Sequence, residues 1–143
     1  MTTKLLNFTT KVDADKSVAE ILSILAAHDA YQIQVLYQNR MPSGITFGLT
    51  APNGQTLGFR LPANITAIHQ KLVKTQPPRF ATFEHAGRVA WRILKDWTEA
   101  QMALIETGMV RPEEVFLPYL LTDGEHTLFE VMEKKLFTLP SPA

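Results

Sequence analysis

Between Tyr31 and Leu61, hydrophobic and polar residues alternate with a period of two in three successive runs. Tyr31, Ile33, Val35 and Tyr37 alternate with Gln32 and Gln34. Ile45, Phe47 and Leu49 alternate with Thr46, Gly48 and Thr50, and Leu57, Phe59 and Leu61 with Thr56, Gly58 and Arg60. This pattern predicts three antiparallel strands with one buried and one open face. Opposed residues share a face, so Phe47 should face Phe59, and Leu49 should face Leu57. That register leaves Pro52-Asn53-Gly54 as a three-residue turn, with Gly54 in the left-handed position. It also sets Gly48 beside Gly58 on the open face, flanked by Thr46, Thr50, Gln34 and Arg60. The glycine pair reads either as a bend in the hairpin or as a place where a ligand or another chain approaches closely.

Elsewhere the period changes. Leu6, Phe8, Thr10 and Val12 alternate and predict a further strand over 4–12. Asp13 or Asp15 then caps a helix over 16–28, with Val18, Ile21, Leu22 and Leu25 on one face. Residues 64–74 read as a short helix capped by Asn64, with Ile65, Ile68 and Leu72 inward. The longest periodic stretch runs from the cap at Thr82 to Gly108. Its apolar stripe is Ala86, Ala90, Ile93, Trp97, Ala100 and Leu104, widened by Leu94 and Ile105, with Gly87 as its weak point. Pro112, Glu113 and Glu114 open a brief helix that Pro118 interrupts. Asp123-Gly124 is a turn, Thr127-x-x-Glu130 is a capping box for a last helix to about Phe137, and Pro140 and Pro142 mark a frayed tail.

The order of elements predicts an α+β fold. A small antiparallel sheet, built as strand, helix and three-strand meander, is covered by a long central helix and short C-terminal helices. One domain accounts for residues 1–143, sheet-rich over 1–62 and helical over 63–139. The chain lacks cysteine, which excludes disulfides, thiol catalysis and thiolate-bound zinc. No apolar run approaches the roughly 20 residues of a membrane span, and the first ten residues carry no secretory pattern, so a cytoplasmic setting is expected.

The net charge is zero, but its distribution is uneven. Residues 60–95 hold seven basic side chains (Arg60, Lys71, Lys74, Arg79, Arg88, Arg92 and Lys95) against Glu84 alone. Residues 96–133 hold nine acidic side chains against Arg111 alone. Arg88, Arg92 and Lys95 share one helix face, either as a solvated face supported by Glu99 or as an anion-facing row. The layout suggests an anionic partner or contact between the basic and acidic parts of two copies. Trp91 falls between the apolar stripe and this row, either under the sheet edge or free to stack. Phe80 is a second candidate for stacking.

The sequence contains no glycine-rich phosphate loop, no GxSxG and no HExxH. His28, His69, His85 and His126 lie singly on separate elements and read as surface or boundary residues. No nucleophile, base and orienting group can be assembled, so no catalytic residue, metal or cofactor is expected, nor enzymatic activity.

Arg88-Val89-Ala90-Trp91-Arg92, Glu99-Ala100, Ile105-Glu106-Thr107-Gly108-Met109, Phe116-Leu117-Pro118-Tyr119 and Asp123-Gly124 resemble a family of small uncharacterised phage and prophage proteins over residues 79–130. The resemblance implies a setting of replication and recombination genes, and hence handling of single-stranded DNA. The element order is also similar to the core of single-strand annealing proteins, which form rings with DNA in a basic groove. Together these give the leading expectation, an oligomeric single-stranded nucleic-acid-binding protein of the host-cell cytoplasm. Arg60, Lys71, Lys74, Arg79, Arg88, Arg92 and Lys95 would hold phosphates, and Trp91 would stack on bases. The alternative is an oligomeric protein-interaction or assembly module that binds no nucleic acid.

Overall fold

The computed structural model of the protein describes residues 4–135. Helix α1 (Ala14–Ala27) precedes strands β1 (Tyr31–Gln38), β2 (Met41–Thr50) and β3 (Thr56–Pro62). Helices α2 (Ile65–Thr75), α3 (Phe83–Glu106), α4 (Pro112–Phe116) and α5 (Leu128–Lys134) follow, with single 3-10 turns at Pro78–Phe80 and Leu117–Tyr119. The result is the α+β fold that the pattern predicts: a three-stranded antiparallel sheet in the order β1-β2-β3, with helices beside it. The C-terminal capping box forms as expected, but Phe137, Pro140 and Pro142 lie outside the described residues.

The β2–β3 register is the one the alternation dictates, with Phe47 opposite Phe59, Leu49 opposite Leu57 and Gly48 opposite Gly58. Gly54 turns the chain at φ +85°, and its N–H donates to the Ala51 carbonyl at 2.9 Å. On the inner face, Phe47, Phe59 and Phe116 form a mutually packed aromatic group with ring centroids 5.2–5.9 Å apart. Leu25, Ile21 and Ile45 complete this core.

Residues 4–12 are not a strand. They form turns, with Phe8 N–H donating to the Leu5 carbonyl and Thr10 N–H to the Asn7 carbonyl. Asn7 takes a left-handed conformation, φ 63°, which asparagine tolerates better than most side chains. The inward residues are Leu5 and Phe8, three apart rather than two. They pack on a second cluster of Ile65, Leu72, Ala86, Val89 and Ala90. Asp13 occupies the N-cap position of α1, but its carboxylate makes no capping hydrogen bond.

α3 is the element on which the rest is packed, with α1 and α2 both lying against it. Thr82 caps it by accepting from His85 N–H at 3.1 Å. Gly108 ends it at φ +75°, with Met109 N–H reaching back to Leu104 and Gly108 N–H to Ile105. This is the Schellman arrangement. α1 closes in the same way, with Asp29 at φ 67° where glycine would be the easier residue.

The buried line of α3 differs from the predicted stripe. Ala86 and Ala90 are buried, but Ile93, Trp97 and Leu104 are half-buried and Ala100 is exposed. The deepest line runs through Gly87, Trp91, Thr98 and Met102. α2 packs against the early turns of α3 and α1 against later ones, and the deepest side of α3 faces the start of β2. There Gly87 lets the helix approach Met41. A Cβ at position 87 would lie 2.6 Å from the Met41 sulfur.

Candidate functional site

Trp91 is fully buried, and its Nε1–H donates to the Pro42 carbonyl at 2.8 Å. It fastens α3 to the sheet and presents no ring to a base, so its expected stacking role is withdrawn. Phe80 is half-buried, and the Arg79 guanidinium lies over its ring, 4.8 Å from the centroid.

The cationic row on α3 meets carboxylates of the same chain. Arg92 Nη2 donates to Glu20 at 2.7 Å, and Lys95 lies 2.5 Å from Glu99 and 3.7 Å from Glu20. Arg88 reaches Glu84 at 3.2 Å. The hydrogen bond from Arg92 lowers the pKa of Glu20 against the opposing effect of burial, and the bond to Glu99 raises that of Lys95. Arg92 and Lys95 therefore clasp α3 to α1 through Glu20, while Arg88 pairs within α3. Arg60, on the open sheet face, donates to Glu130 of α5 at 2.7 Å. The Glu130 carboxyl is held below its usual pKa first by the Thr127 backbone N–H and hydroxyl, then by Arg60.

The expected polyanion groove is thus divided. Arg92 and Lys95 lie at the α1–α3 junction and Arg60 at the β3–α5 junction. Lys71 and Lys74 are exposed on α2, with no ion pair among the described residues. Arg79 and Arg88 line one cleft, together with Lys11. Lys11 was hidden from sequence reading because its segment read as a strand.

The open face of the sheet holds a cleft of about 540 Å³, lined by Tyr31, Gln34, Thr46, Thr56, Gly58 and Leu121 among others. The glycine pair is not bare. Tyr31 pairs with Gly48 across the sheet and lays its ring on it, so that a Cβ there would meet the ring at 2.8 Å. Leu121 approaches Gly58 from the other side. The predicted alternation in β1 had Tyr31 on the same face as Ile33 and Val35. A register shift between Tyr31 and Gln34, with Gln32 at φ 50°, puts Tyr31 on the open side instead. No residue type at these positions signals that shift.

The two edges of the sheet differ. The β3 edge is bridged at Phe59–Leu120, and Leu121 N–H donates to the Gly58 carbonyl at 2.8 Å. The β1 edge has no strand partner among the described residues. From Ala30 to Asn39 the chain carries no charged side chain, and within β1 Leu36 is 36% and Tyr37 60% exposed.

The four histidines are each engaged. His28 contacts the Ile24 carbonyl and Glu106, His69 the Ala81 carbonyl, His85 the Phe8 carbonyl and His126 the Asp123 carboxylate. His126, with two backbone N–H groups, holds Asp123 well below the ordinary carboxylate range. Among the described residues no three His, Asp or Glu side chains are grouped to hold a metal ion, and no helix is long and apolar enough to cross a membrane. No family model, no curated protein and no solved structure matches the chain.

Proposed function

We propose that the protein is a non-enzymatic assembly module whose copies pair through the edge of β1. The observation that carries this reading is an eight-residue edge strand without one charge, beside an opposite edge that the chain covers itself. Exposed edges template pairing with other chains, and stable monomers blunt them with lysine, proline or a covering segment. β1 has no lysine or proline and no strand partner on this edge among the described residues, and only its register shifts blunt it. A second copy fits as occupant because opposed like charges would destabilise self-pairing, and β1 has none to oppose. The register shifts at Tyr31–Gln34 and Leu36–Tyr37 leave a short regular segment, so the contact is small and reversible, with a dissociation constant on the order of 10–100 µM.

The charge asymmetry supports contact between copies less well than it did in the bare sequence, because Glu20, Glu84, Glu99 and Glu130 engage Arg60, Arg88, Arg92 and Lys95 within one chain. The same pairs weaken the support for a single-stranded nucleic-acid partner. That reading would require a salt slope near −3.5 in log K against log salt for about five phosphate contacts.

Light scattering across a concentration series tests the assembly reading. The mass should rise toward twice the 16.1 kDa of one chain. Leu36→Lys and Tyr37→Lys, each of which brings a charge onto the edge strand, should hold it at one chain. A constant single-chain mass, or pairing that both variants leave intact, would reject it.

A further inference from the structure

The cleft between the N-terminal segment and the first turns of α3 is cationic in a chain of zero net charge. Its volume is about 340 Å³. Lys11, Arg79 and Arg88 line it with Thr9, Thr10 and His85, and Asp13 is its one carboxylate. These residues come from two regions far apart in sequence, 9–13 and 79–88, and none belongs to β1.

Two of the cations are oriented by their neighbours, Arg79 by an aromatic ring and Arg88 by a carboxylate and a histidine. Arg79 rests on Phe80, whose ring is in turn set edge-on against Phe8, 5.6 Å away. Arg88 is held on one side by the exposed Glu84 and on the other by His85 Nδ1 at 3.4 Å. His85 is buried, and its Nε2 meets the Phe8 carbonyl. A carbonyl can only accept, so Nε2 carries the hydrogen and Nδ1 is left to accept from Arg88. The same aromatic and histidine contacts that fix the N-terminal segment therefore aim the two guanidinium groups. Thr10 already accepts from Val12 N–H at 3.2 Å, which leaves its hydroxyl hydrogen free to donate.

We propose that this cleft binds a phosphoryl dianion. Arg79 and Arg88 supply planar forks that match phosphoryl oxygens, and Lys11 supplies a point charge. Phe80 is a positioning residue here, because its face is occupied by Arg79 and not by a base. The group could be free phosphate or the phosphate of a small ester, which share the same oxygens.

Calorimetric titration of the full chain, at constant ionic strength maintained with chloride, tests this with inorganic phosphate and with phenyl phosphate. The expected result is one saturable site with a dissociation constant on the order of 0.1–5 mM. Similar affinities for both probes support free phosphate as the ligand, and tighter binding of the ester supports an organic phosphate. Arg79→Gln and Lys11→Gln should each weaken binding by about tenfold. Phe80→Leu should weaken it while all charges remain, a loss that screening alone cannot produce. Arg111→Gln, at the exposed N-cap of α4, should change nothing. No saturation by roughly 20 mM of either probe, at least about fourfold above the weakest dissociation constant expected, would overturn the proposal. So would equal losses from Arg79→Gln and Arg111→Gln.

Discussion

Replacing Trp91 with phenylalanine separates two roles for that residue that the sequence left open. The indole is fully buried and donates to the Pro42 carbonyl at 2.8 Å. The phenyl ring lacks that donor, so the carbonyl loses its partner in a place that water does not reach, at a cost of about 1–3 kcal/mol. The smaller ring also vacates roughly 40 Å³, which at about 24 cal/mol per Å³ adds about 1 kcal/mol. The sum is a destabilisation of about 2–4 kcal/mol. In a urea titration followed by far-ultraviolet circular dichroism, the midpoint should fall by roughly 1–2 M with the slope unchanged. Circular dichroism is the better probe because the substitution removes one of two tryptophans. Were Trp91 an exposed ring awaiting a base, the change would fall within about 0.5 kcal/mol. A loss below about 1 kcal/mol would refute the reasoning.

Other substitutions test the remaining contacts. Gly48→Ala should cost about 1–3 kcal/mol through the clash with the Tyr31 ring, and Tyr31→Ala in the same chain should recover part of it. Additive single losses in a double-mutant cycle would contradict that contact. Asp29→Gly should raise stability by about 0.5–1 kcal/mol, read as a higher melting temperature, because glycine adopts φ 67° without strain. The His28 pKa is raised, first by the hydrogen bond to the Ile24 carbonyl and then by Glu106, because two acceptors face the two ring nitrogens. Its contribution is therefore full below the ordinary histidine pKa and fades as pH climbs through the raised value. His28→Gln should lower the melting temperature more at about pH 5.5 than at about pH 8, and an equal drop at both would dismiss the assignment. Pairing of copies through an uncharged strand should survive roughly 0.5 M sodium chloride, whereas contact between oppositely charged halves would dissolve.

Much of the fold was legible because local rules and tertiary packing agree there. The β2–β3 hairpin has one register that keeps Phe47 and Phe59 on the same side, and a turn whose residues suit it. The caps at Thr82, Asn64 and Thr127 each follow from a side-chain oxygen near free N–H groups. The failures arose where a distant element decided. Residues 4–12 alternate like a strand, but they pack at a spacing of three against α2 and α3. The α3 stripe was drawn for a helix covered from one side, and α1 and α2 cover it from two. The candidate site was legible only as a list of cations. Charge counts cannot reveal that Glu20, lying 72 positions before Arg92, stands beside it. The β1 edge was written plainly in its lack of charge, but its exposure depends on which edge residues 120–121 cover.

The most direct test of pairing through β1 is nuclear Overhauser spectroscopy on a mixture of carbon-13-labelled and unlabelled chains, filtered for contacts between the two. Association through this edge predicts contacts between copies that connect residues 34–36 with residues 34–36, running antiparallel about Val35. Associated chains whose contacts fall on other residues, or no contacts between copies at concentrations well above the dissociation constant, would contradict the account.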